Sequence, residues 1–102
     1  MITQFTRFAV AILALAACAT APVQEMSDAR QAIRSAEAVG ALQRSPQTLM
    51  EAQHLLREAQ THLESGAYED ARQYALDARR QAIKAREIAL RKKNTFDSNQ
   101  TP

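Results

Sequence analysis

The chain has 102 residues, room for one small domain and no more. Thirteen Lys and Arg against eleven Asp and Glu leave it near neutrality, without the basic, aromatic-laced face that nucleic-acid binding needs. A single cysteine excludes an internal disulfide and a cysteine zinc site, and an alanine-rich, glycine-poor composition without tryptophan points to helix.

In chain order, residues 1–7 form a short start with one positive charge, Arg7, and residues 8–17 carry none. Ten uncharged residues are too few to span a bilayer, which takes about twenty. A charged start, an apolar centre and small residues at the end are the pattern of an export signal. The segment closes on Leu15-Ala16-Ala17-Cys18, which resembles the lipobox of bacterial lipoproteins. The chemistry suits that likeness: Leu15 offers an apolar anchor, Ala16 and Ala17 are small enough for a peptidase cleft, and Cys18 offers a thiol that can be alkylated with a diacylglyceryl group. The resemblance implies a signal peptide over residues 1–17, cleavage before Cys18 and a lipidated amino terminus. Two or three acyl chains anchor stably where one does so marginally. Ala19 stands where an aspartate favours inner-membrane retention in enteric bacteria. The same resemblance therefore implies the outer membrane, with the domain facing the periplasm.

A short tether containing Pro22 is expected over residues 18–23, and a helical domain over residues 24–93. In the first helix, to about residue 44, Met26, Ala29, Ile33, Ala36 and Gly40 step by three and four and share a face, which Val39 and Leu42 widen. Ser45-Pro46 then reads as an N-cap followed by a proline at the first helical position. The second helix, 46–64, repeats the spacing with Leu49, Ala52, Leu56, Ala59 and Leu63, and Gly66 suits the left-handed residue that ends it. The third, 67–93, has a seam of Tyr68 and then alanines at 71, 75, 78, 82, 85 and 89. Methyl-lined seams let helices approach closely. The expected fold is all-α: an antiparallel three-helix bundle, or a helical hairpin with a flanking first helix. A dimerising coiled coil is the alternative, against which the Ser-Pro and Ser-Gly breaks argue. Residues 94–102 read as a polar, disordered tail.

Ala32, Ile33 and Ala36, then Gly40-Ala41, Pro46, Leu49, Ala52, Leu56 and Ala59, and the block from Ser65 to Ala78 carry a likeness over Met26 to Ala89. In these residues the chain resembles the family of domain of unknown function 4398, short envelope lipoproteins or modules of envelope proteins. The resemblance implies architecture and location, and no activity. The Gly66-Tyr68-Ala71-Ala78 block is also similar to the second helix of a single tetratricopeptide-like hairpin. Leu55, His62 and Ile83 depart from that pattern, and one hairpin is not an array.

His54, Glu58 and His62 recur every four residues, a spacing that can hold a metal. Their face lies opposite the Leu49–Leu63 seam, so a solvated stripe is expected, with no metal and no cofactor beyond the lipid on Cys18. Tyr68 is expected to pack on the seam and Tyr74 to be exposed. Arg79, Arg80, Lys84, Arg86, Arg91, Lys92 and Lys93 crowd the distal half of the last helix. At 1.5 Å per residue that helix should overhang its partners by about two turns, at the end far from the anchor. With no catalytic constellation in view, the function expected is a non-catalytic adaptor that binds an envelope protein or its own copy. Tyr74, Arg86, Arg91, Lys92 and Lys93 are the candidate contacts. The alternative is a structural lipoprotein that touches peptidoglycan through the basic tip.

Overall fold

The computed structural model describes residues 20–100; the expected signal peptide over 1–17, with Leu15, Ala16 and Ala17, and the expected lipidation site Cys18 lie outside them. Every regular element among the described residues is a helix: α1 (Val23–Ala38), α2 (Ala41–Arg44), α3 (Pro46–Glu64) and α4 (Tyr68–Gln100). Arg30 donates to Gln60 at 3.1 Å and Gln53 donates to Glu37 at 3.2 Å, so α1 and α3 run antiparallel. Arg72 meets Glu25 at one end of the molecule and Lys92 meets Arg44 at the other, so α4 runs parallel to α1. The result is the expected up-down-up bundle, with α4 packed against both of the others.

The core is built from the expected seams. Ile33, Ala36, Ala41, Leu49, Ala52, Ala82, Ala85 and Ala89 form one cluster, and Met26, Ala59 and Ala75 form a second nearer the amino-terminal end. All six seam alanines of α4 are fully buried. Alanine buries little apolar area, so the few larger side chains weigh heavily in the core; Met26, Leu49 and Pro22 are the largest fully buried. The burial of Pro22 changes the expected tether. Residues 20–22 lie against the bundle, with Arg72 donating to the Thr20 carbonyl at 3.3 Å.

The first helix is not continuous to residue 44. It ends at Ala38, and Gly40 turns the chain with φ 82°, so that α2 starts in a new direction. The turn rotates Leu42 out of the stripe and leaves it 59% exposed. Arg44 closes the turn by donating to the Val39 carbonyl at 3.0 Å. A Cβ on Gly40 would sit 2.7 Å from that guanidinium and would also force an L-residue to positive φ. Gly40→Ala is therefore expected to cost about 1–2 kcal/mol or more. Gly66→Ala meets no neighbour and carries the backbone cost alone. Paired urea denaturations should rank the two in that order.

The α3–α4 turn is as expected: Gly66 takes φ 81°, its N–H bonds to Leu63, and the Ala67 N–H reaches back to His62. Ser45 does precede α3, with Pro46 at the first position, but its side chain makes no capping bond. It is buried in the α2–α3 turn instead.

The largest departure is at the carboxyl end. Residues 94–100, expected as a disordered tail, continue α4 as helix. No glycine or proline falls between Gly66 and Pro102 to stop it. Thr95 and Ser98 turn their hydroxyls onto the carbonyls of Arg91 and Asn94, four residues back, which keeps these polar side chains on the helix itself.

Candidate interaction surface at the distal end of the bundle

Two ends of the bundle differ in how they are finished. At the amino-terminal end, Arg72 is shared between Glu25 at 3.2 Å and Glu69 at 2.6 Å, besides the Thr20 carbonyl. Those side-chain bonds, Glu25 first, push its pKa up from the ordinary arginine value, so it stays charged at any physiological pH. The hub ties the first turns of α1 and α4 together and holds down the chain entering from residue 20.

At the opposite end α4 runs on past the other described helices. Its 33 residues span about 50 Å against about 28 Å for the 19 of α3. Lys92 lies level with the α2–α3 turn, where its ammonium donates to the Arg44 carbonyl at 2.6 Å. This supplies a cation to the carbonyl end of the one-turn α2. Arg91, Lys92 and Lys93 therefore form a rim beside the turn. They were expected as the last turn of α4 and as its overhang; the overhang is formed by the residues that follow, and the last turn of α4 carries no basic residue. Residues 91–100 are all exposed.

Continuing the alternating four–three spacing of the alanine seam past Ala89 lands on Lys92, Phe96 and Asn99. Phe96 thus occupies a seam position beyond the reach of α1 and α3, and it is 60% exposed. Arg91, Lys92, Thr95, Phe96 and Asn99 line an open concavity of about 360 Å³ there. Phe96 falls in the segment expected as a tail, although the period that locates the seam reaches it.

The other candidates separate. Arg86 is exposed on the flank of α4, as a contact residue requires. Tyr74 is not: its ring stacks on His62 with centroids 4.9 Å apart and planes 10° from parallel, and it packs against the Met26–Ala59–Ala75 cluster. Tyr68, expected on the seam, is 39% exposed, because it is the first residue of α4. The two tyrosines thus exchange their expected environments.

The same stack corrects the reading of the histidine stripe. Each four-residue step overshoots a full turn by about 40°, so His62 is rotated about 80° from His54. His54 is exposed, while His62 is half-buried against α4. Among the described residues no group of three or more His, Cys, Asp or Glu is placed to hold a metal. No described helix is long and apolar enough to cross a membrane.

The sequence profile described as domain of unknown function (DUF4398) matches residues 24–99. The chain belongs to the DUF4398 family. The match begins within α1 and runs to the overhang's penultimate residue, so the uncovered end of α4 falls inside the domain as the family defines it. No curated protein and no solved structure matches the chain.

Proposed function

We propose that this DUF4398 chain is a bacterial outer-membrane lipoprotein, anchored through Cys18 and facing the periplasm, whose bundle acts as a non-catalytic adaptor for another envelope protein. The observation that carries the reading is the overhang of α4 at the end of the bundle opposite residue 20. A chain held at a membrane through Cys18 has only Ala19 between the anchor and the residues docked on the bundle. The domain would then stand directly on the bilayer and present residues 91–100 away from it. The sequence Leu15-Ala16-Ala17-Cys18 supports the anchor, and the single tetratricopeptide-like hairpin adds only a packing analogy.

The test is in-cell photo-crosslinking with the probe at Arg86 and at Lys93, both exposed, in the full-length chain. One envelope protein should be captured repeatedly, and the capture should be lost with Cys18→Ser. A second reading is favoured by the basic rim of Arg91, Lys92 and Lys93, which suits the anionic groups of peptidoglycan. It takes first place if no protein is captured and the chain instead sediments with purified sacculi in a salt-sensitive way.

A further inference from the structure

We infer that the uncovered end of the α4 seam is a docking site for an acidic amphipathic helix of a partner protein, with Phe96 as its apolar anchor and Arg91 and Lys93 as its charged flanks. This deepens the adaptor reading and rests on it.

Three features select the occupant. The first is continuity: from Ala71 to Ala89 the seam of α4 is covered by α1 and α3, and the same four–three period continues through Lys92, Phe96 and Asn99 with no other described helix over it. A helix laid in line with α1 or α3 would meet the same face at the spacing on which helices interlock. The second is the aromatic side chain at the middle of these positions, 60% exposed at the end of a polar helix. The third is charge. Residues 91–100 hold Arg91, Lys92 and Lys93 against Asp97 alone, so carboxylates on either side of an apolar residue complement them.

The same charge argues against the other occupants. A second copy meeting tip to tip would bring the same three cations together. Residues 1–19 contain Arg7 and no acidic residue, so they offer no carboxylates to the rim.

The test uses two synthetic helical peptides, one with leucine at its seam positions and glutamate on the flanks, the other with lysine for glutamate. Both are titrated against the full-length protein in detergent, against Phe96→Ala and against the Arg91→Glu/Lys93→Glu double variant. Far-ultraviolet circular dichroism of each variant confirms the bundle. The glutamate peptide should bind, the lysine peptide about tenfold more weakly or worse, and Phe96→Ala should weaken the glutamate peptide by about tenfold. The double variant should reverse the preference. Equal affinities, no binding by either peptide, or an unchanged affinity in Phe96→Ala would overturn the site. In cells, a probe at Thr95 should capture a segment that mass spectrometry maps to an acidic helix. Capture of a second copy, of a basic or neutral segment, or of no protein overturns the inference. A probe at Ile83, on the flank of α4, separates the two levels. Protein captured at Ile83 but not at Thr95 removes the docking site and leaves the adaptor; no protein at either removes both.

Discussion

Leu49→Ala is expected to destabilise the bundle by about 2–5 kcal/mol. Leu49 is fully buried in a cluster whose other buried members are Ile33 and alanines; only the partly buried Val39 and Leu56 at its edge, besides Ile33, have more than a methyl group with which to close a cavity. A domain of this size is stable by roughly 4–12 kcal/mol in all, so one residue carries a large share. The melting temperature should fall by roughly 10–30 °C. Leu42→Ala, on an exposed side chain in α2, should stay within about 0.5 kcal/mol and serves as the control.

The second large effect has the opposite cause. Ala85 sits fully buried at the middle of the distal cluster, on a helix whose seam is alanine from Ala71 to Ala89. Ala85→Leu adds three carbons where backbones are expected to be separated by little more than a methyl group. Overpacking of this kind costs about 1–3 kcal/mol. Lys84→Leu, one position away and exposed, should be near neutral. If Ala85→Leu instead stabilises the fold, the helices are free to spread, and the seam is not the close contact argued for. Chemical denaturation of the two variants side by side decides it.

Periodicity alone makes most of this fold legible. The α1 seam of Met26, Ala29, Ile33 and Ala36, the α3 positions Leu49, Ala52 and Ala59, and every alanine of the α4 seam are buried as their spacing requires. Gly66 ends α3 because only its left-handed conformation lets the chain double back. The misses also have physical causes. Gly40 fits the helical face by spacing, yet its conformational freedom was used to break the helix, and nothing local distinguishes the two uses. Tyr68 and Tyr74 were assigned by seam position alone. Position along the axis decided instead: Tyr68 opens α4, whereas Tyr74 lies across from the last turn of α3 and finds His62.

The candidate site was legible in part. The basic residues and the overhang were both expected, but the end of the helix was placed where composition turns polar. Polar composition does not end a helix when no proline or glycine interrupts it, as the hydrogen bonds of Thr95 and Ser98 illustrate. That error moved the tip by about two turns and hid Phe96, the one apolar side chain beyond the rim.

The most direct test of the account is to end the full-length chain after Lys93 and to measure both stability and capture. Residues 94–100 are exposed throughout, so the melting temperature of the shortened protein should match that of the full chain. The protein cross-linked from Arg86 in cells should be lost. Capture that survives the shortening would contradict the account, because the partner would then read the flank of the bundle and not its uncovered end.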